Sequence, residues 1–182
     1  MNLVGNLLIA PPAVKGNFWY KTVVMITEHH GQGSVGLVLN KRSNLSLNEF
    51  GQQLGFKFDM PGFVYQGGPV NVKNLCLLHT TEWVSKNTMP IDAQFSISSA
   101  DDILPRIAMG DTPERWRLLL GLCGWGPGQL DSEIKGKPPY HHNTSWCTAK
   151  ADLDLVFGND NKDQWCNALD RSGLEFAQSI LA

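Results

Sequence analysis

Gly121-Leu-Cys-Gly-Trp-Gly-Pro-Gly-Gln-Leu-Asp-Ser-Glu133 is the stretch on which the fold turns, because its pattern changes twice within a few residues. The residues leading into it, Arg115-Trp-Arg-Leu-Leu-Leu, read as a strand with Trp116, Leu118, Leu120 and Leu122 facing inward. Arg115 and Arg117 then share the outer face. A helix opening at Thr112-Pro113 is the competing reading, but Gly121 and Gly124 suit a strand whose backbone is closely approached. Pro127 is placed to open a helix, and Gln129-Leu-Asp-Ser-Glu-Ile continues it with acidic residues at its positive end. The block therefore predicts a strand, a glycine turn and a short helix.

Outward from this junction the chain alternates strands with occasional helices. Leu7 to Ala10 and Thr22 to Thr27 read as interior strands, the second rich in β-branched residues. His29-His30-Gly-Gln-Gly supplies turn chemistry, and Ser34-Val-Gly-Leu-Val-Leu-Asn40 completes a hairpin with a loop of several residues. Ser46-Leu-Asn-Glu49 is a capping box, Phe50 and Leu54 share a face, and Gly55 stops that helix. Phe63 to Gln66 and Leu75 to His79 are further strands around Gly67-Gly68-Pro69. Ser98 to Gly110 reads as helical, and Pro105 is tolerable there if Asp102 is the cap. A polar insertion, Lys135 to Asn143, precedes Trp146, and a last helix runs from about Lys162 to Ser172, ending at Gly173.

Composition bounds the function. The 182 residues suit one domain, and 42% apolar residues with six Trp and eight Phe give it ample core. Fifteen basic against seventeen acidic residues, with no basic stripe, argue against direct DNA binding. The apolar opening lacks a positive n-region and is cut by Pro11 and Pro12, and no stretch reaches membrane-spanning length, so the expectation is a cytoplasmic protein without membrane contact. Cys76, Cys123, Cys147 and Cys166 are widely spread and read as reduced, mostly buried thiols.

Read in order, Gly5-x-Leu-Leu-Ile-Ala, Val23-Val-x-Ile-x-Glu28-His29, Gly36-Leu-Val-Leu-Asn40-Lys41, Gly67-Gly-Pro-Val and Gly124-Trp-Gly-Pro-Gly-Gln-Leu form a series. It resembles the AlgH/YqgE family (UPF0301) of bacterial proteins over nearly the whole chain. The resemblance implies a single α+β domain, residues 1–182, with a bifurcated, partly barrel-like sheet surrounded by helices. It carries an association with gene regulation and no general biochemical activity. The chain departs from the pattern at Asp131, where glutamate is expected, at Cys123, and in the Pro-Pro-Tyr-His-His insertion before Trp146.

Several residues are candidates for chemistry. The backbone N–H groups around Gly124, Trp125, Gly126, Gly128 and Gln129 can face an anion, yet the block lacks the Lys-Ser/Thr pair of a phosphate cradle, and Asp131 and Glu133 repel one. Glu28 and His29 carry acid–base character, but neighbours on a strand point to opposite faces. Asn40 closes its own motif and joins the candidates. His141 and His142 lack metal-ligand spacing, so neither metal nor cofactor is expected. Cys123 before a helix start invites a reactive-thiol reading, and a small buried apolar residue is the plainer one. The expectation is a non-enzymatic binding or regulatory module, any effect on transcription being indirect, with a protein or a small anion as partner. An enzyme using Glu28, His29 and residues 124–133 is the alternative.

Overall fold

The computed structural model describes residues 2–140, 145–158 and 161–181. Its strands are β1 (Asn6–Ile9), β2 (Val23–His30), β3 (Gly33–Val38), β4 (Arg42–Ser46), β5 (Phe63–Gln66), β6 (Val70–Thr80), β7 (Thr88–Pro90), β8 (Phe95–Ser99), β9 (Trp116–Trp125) and β10 (Cys147–Lys150). Its α-helices are α1 (Leu47–Gln53), α2 (Ala100–Ala108), α3 (Gln129–Lys135) and α4 (Asn161–Leu181), with a π-helical turn at Asp154–Gly158. The strands run in the order β10-β1-β2-β3-β9-β6-β8-β7, and β5 joins β9 and β4. Every pairing is antiparallel except that of β5 with β9. The fold is α+β, as the family resemblance implies.

The chain forms two compact units, residues 1–40 with 123–182, and residues 41–122. In the first, residues 7–9 of β1 and 23–27 of β2 are buried on both faces, which is why Leu7 to Ala10 is a continuous apolar run instead of an alternating one. Leu8, Val24, Ile26 and Val38 pack with Trp125, Leu130 and Trp146. Helix α4 lies against β1, β2 and β10, and the Trp165 indole donates to the Ala10 carbonyl at 2.8 Å. In the second unit, α1 and α2 pack Phe50, Ile103 and Ile107 with Val64, Leu77 and Leu118 from the sheet.

The strand reading of β9 holds, but its two faces do not divide as expected. Arg117 is buried: its guanidinium lies 4.7 Å from the Tyr65 ring centroid, so a cation–π contact replaces solvent. The capping box forms as read, with Ser46 accepting from the Glu49 N–H and the Glu49 side chain accepting from the Ser46 N–H. Gly55 follows that helix at φ 81°, the left-handed conformation that glycine adopts without strain.

Other boundaries move. The β2–β3 hairpin is tighter than predicted, since His30 pairs with Gly33 across only Gly31 and Gln32. Helix α2 begins at Ala100 with Ser99 as its cap, which leaves Pro105 in the helix interior. Helix α4 passes through Gly173 and continues to Leu181, because one glycine weakens a helix without ending it. No disulfide joins the four cysteines, but only Cys123 is buried; Cys76 and Cys147 are half-buried and Cys166 is exposed.

His79 on β6 is a buried polar residue that carries a pH prediction. Its Nδ1 lies 2.8 Å from the Thr80 carbonyl and its Nε2 2.8 Å from the Ser98 hydroxyl. Nδ1 must donate to the carbonyl, so Nε2 accepts from the hydroxyl, which is the neutral ring. Burial holds its pKa below the ordinary 6.5. The unfolded chain therefore takes up the proton first. The stability contributed by neutral His79 is complete above the unfolded value and is lost as pH falls through 6.5 toward the folded value. Thermal melts from neutral to mildly acidic pH are expected to fall more steeply for the wild type than for His79→Gln, and equal slopes would refute this assignment.

Candidate functional site

Strand β9 ends at Trp125, Gly128 turns the chain at φ 69°, and α3 opens at Gln129. Helix residues three and four apart share a face, so Gln129 and Glu133 both point back to the end of the strand. The Glu133 side chain is buried, and its Oε2 accepts from the Trp125 indole at 3.0 Å and the Trp146 indole at 2.9 Å. Its Oε1 accepts from the Gln129 amide at 2.9 Å. The same Gln129 side chain turns its oxygen to the Gly126 N–H at 3.0 Å. A chain of hydrogen bonds thus runs from the turn through Gln129 to Glu133 and both indoles.

The indoles are packed as well as bonded. Trp19 stacks on Trp125 with centroids 6.3 Å apart and meets Trp146 edge-on at 5.2 Å, while Phe18 stands edge-on to Trp19 at 5.0 Å. These are the offset and edge-to-face arrangements that aromatic quadrupoles favour. The sequence reading missed Phe18 and Trp19, which lie between β1 and β2 where no periodicity marks a residue as core. Their only signal was the chain's high tryptophan count.

The predicted site residues separate into groups. Trp125, Gly126, Gln129 and Glu133 come together, with Gly128 setting the helix start. Gly124 is exposed, and a methyl group added there would touch nothing, so the close packing expected of it is absent. Gly121 alone meets that expectation. Asn40 lies elsewhere, buried, where its side chain accepts from the Val23 N–H at 2.9 Å and donates to the Lys21 carbonyl at 2.7 Å. It ties down a backbone that turns through positive φ at Lys21.

Glu28 and His29 point apart. A register shift between Ile26 and Glu28 leaves Glu28 exposed, 3.6 Å from the His30 ring. His29 turns inward opposite Ser34, with its Nδ1 2.8 Å from the Ser34 hydroxyl and its Nε2 3.7 Å from Asp131. Asp131 also approaches Lys135, at 4.0 Å. His29, not Glu28, is thus the neighbour of the block, through Asp131, which the sequence reading noted as a helix-start charge and a departure from the family's glutamate.

The remaining candidates are constrained by placement. Cys123 is 1% exposed in the core, so its thiol has no path to solvent. The Gly126 N–H faces a side-chain oxygen of the same turn, which competes with any anion. His141 and His142 lie outside the described residues. Among the described residues, no group of three His, Cys, Asp or Glu side chains is placed to hold a metal ion, and no helix is long and apolar enough to cross a membrane.

Comparison with known proteins matches this geometry to one family. The AlgH-like family model matches residues 7–177. A UPF0301 protein of Marinomonas sp. is 31% identical over 95% of this chain and 90% of its own, and one from Gluconobacter oxydans is 34% identical over 93% and 90%. The solution structure of the AlgH protein from Pseudomonas aeruginosa, 31% identical, superposes with a TM-score of 0.74 over 94% of this chain and 89% of that one. A Corynebacterium diphtheriae protein, 21% identical with a TM-score of 0.69, shares the fold. With the signature block forming the junction that its sequence implies, this chain belongs to the AlgH-like family of UPF0301 proteins.

Proposed function

We propose that the protein is a non-enzymatic binding module whose signature block is architectural. One observation carries the reading: the polar side chains that make the block look catalytic, Gln129 and Glu133, are bonded to the block's own turn and to two indoles. A general acid or base must reach a substrate proton, and these groups face inward. Any influence on transcription then passes through a partner, since a chain of net charge -2 and pI near 6.2 lacks the basic footprint of a DNA-binding domain.

A second reading is favoured by the order Ser34–His29–Asp131, which resembles the hydroxyl, imidazole and carboxyl series of nucleophilic hydrolases. Against it, Ser34 is 5% exposed, and it sits inside a strand pair opposite Trp125. Hydrolysis of an activated ester such as p-nitrophenyl acetate distinguishes the two. Wild-type protein and Ser34→Ala are expected to give the same slow background rate. A wild-type rate that disappears in both Ser34→Ala and His29→Ala would replace the binding module with an esterase-like enzyme.

A further inference from the structure

We infer that the hydroxyls of Ser98, Thr88 and Ser85 form a relay that carries the protonation state of buried His79 to the turn at the start of edge strand β7. All of these residues belong to the unit of residues 41–122. The inference stands apart from the binding-module reading.

The sheet register assembles the row. Strand β6 sets His79 opposite Ser96 of β8, and Ser98 shares the Ser96 face because side chains alternate along a strand. Strand β7 sets Thr88 opposite Ser98 from the other side. The fully buried Ser98 hydroxyl therefore lies between the two, 2.8 Å from His79 Nε2 and 2.7 Å from the Thr88 hydroxyl. Thr88 is half-buried, and its oxygen accepts from the Ser85 N–H at 2.7 Å. It also stands 3.2 Å from the Ser85 hydroxyl, in a geometry that suits Thr88 as the donor.

Each hydroxyl carries one hydrogen, so the direction of the row is set at one end. The Thr80 carbonyl takes the Nδ1–H, which leaves Nε2 of the neutral ring as an acceptor and commits the Ser98 hydrogen to it. Thr88 must then donate to Ser98, and its bond to the Ser85 hydroxyl is left unmade. A proton taken from solvent at Nε2 reverses every link. Nε2 donates to Ser98, Ser98 to Thr88 and Thr88 to Ser85. No hydroxyl gains or loses a hydrogen; each rotates. The Thr88 oxygen has two lone pairs and accepts from Ser98 and the Ser85 N–H together. The charged ring thus keeps an acceptor for both of its N–H groups, and the turn gains a hydrogen bond that the neutral ring denies it.

The charged groups around the ring do not interrupt the row. Glu82, just beyond β6, attracts the proton and accepts from the Thr80 hydroxyl at 2.9 Å and the Glu114 N–H at 2.6 Å. Trp83 stands edge-on to the imidazole at 5.2 Å and holds the Arg106–Asp111 pair, with the guanidinium 3.9 Å from its ring centroid and Asp111 accepting its indole N–H. Arg106 is the charged residue among the described side chains of α2. On β9, Trp116 pairs opposite His79, Arg115 meets the Thr80 hydroxyl through its backbone, and Arg117 is turned to Tyr65. Strands β7 and β8 bring no charge. Burial keeps the ring neutral until the pH falls below the ordinary 6.5, so the reversal belongs to mildly acidic conditions. Strand β7 ends the sheet order, which places the responding turn at the rim of the sheet.

Proton–nitrogen correlation spectra of the full chain, with imidazole nitrogen shifts recorded alongside, follow both ends of the row from neutral to mildly acidic pH. Neutral His79 is expected as the Nδ1–H tautomer. Its ring and the Ser85 amide should titrate with one shared midpoint below 6.5. In Ser98→Ala the ring should still titrate while the Ser85 amide loses most of its response. Thr88→Val cuts the row at the half-buried edge strand and should give the same loss, whereas Thr88→Ser, which keeps the hydroxyl, should retain the response. An undiminished Ser85 response in Ser98→Ala or Thr88→Val would mean that the amide senses the ring's charge through space, and overturns the relay. An Nε2–H tautomer in the neutral ring overturns it as well, as does a ring that stays neutral down to the pH of unfolding. A Ser85 response that survives in His79→Gln would belong to Glu82 and would equally end the proposal.

Discussion

Glu133→Leu is expected to destabilise the protein by about 4 kcal/mol, roughly 2 for each buried indole N–H that loses its acceptor. The side chain is buried and bonds to Trp125, Trp146 and Gln129, so the substitution leaves three donors facing hydrocarbon. Size is nearly conserved, which separates lost acceptance from a cavity effect. Glu133→Gln is expected to cost about half as much: one oxygen still serves both indoles, while the amide nitrogen meets the Gln129 amide donor to donor. Glu133→Asp withdraws the group by one methylene, about 1.5 Å, and cannot keep both indoles in range. Urea melts followed by tryptophan fluorescence measure all three. A Leu variant within about 1 kcal/mol of the wild type would show that the carboxyl group does not organise the block.

Gly121→Ala is expected to cost at least about 3 kcal/mol, combining the strain of a side chain at positive φ with a backbone collision. Gly121 has φ 77°, and a methyl group there would lie on the Gly68 carbonyl oxygen, with the Val70 carbonyl 3.1 Å away. The collision is with backbone, which cannot move aside as a side chain can. The neighbouring glycine is equally confined: a methyl group on Gly67 would strike the Gly121 carbonyl oxygen, and the Gly67 N–H bonds to the Leu120 carbonyl at 2.7 Å. Gly124→Ala is the control. It meets open space at the same strand's exposed end and should change stability by less than about 1 kcal/mol in either direction. Equal chemical-denaturation midpoints for the two variants would contradict the packing described for Gly121.

These contacts show which parts of the fold were legible in the sequence. The capping box at Ser46 and Glu49 and the strand–turn–helix junction at residues 121–133 were read correctly because each is specified by neighbours a few residues apart. Gly67 and Gly121 stood out as glycines, but nothing local reveals that a methyl group on Gly121 would meet the Gly68 carbonyl and one on Gly67 the Gly121 carbonyl, since the contact joins segments far apart in sequence. The same holds for Arg117, read as outward from alternation on β9 and covered instead by Tyr65. Strands β4, β7, β8 and β10 went unread because they are short and polar, and their pairing is set by partners elsewhere in the chain. Gly173 was read as a terminator because a helix end is the commonest reason for such a glycine. The candidate site was half legible: the block gave Trp125, Gln129 and Glu133, while Trp19 and Ser34 entered only through three-dimensional packing.

The hydrogen bond between Glu133 and Trp146 also bears on how lengths vary along this chain. Its partners are thirteen positions apart and lie on either side of the polar insertion, the Pro-Pro-Tyr-His-His stretch included. The two ends of that stretch are thereby bolted together by a side chain and an indole, independently of what runs between them. Doubling the length of such a closed loop costs only about 0.6 kcal/mol in chain entropy. Lengthening or trimming the segment in this chain is therefore expected to leave the register of β10 on β1 in place, provided that Glu133 and Trp146 are kept as a pair. Deletions reaching either member would instead be felt throughout the aromatic core.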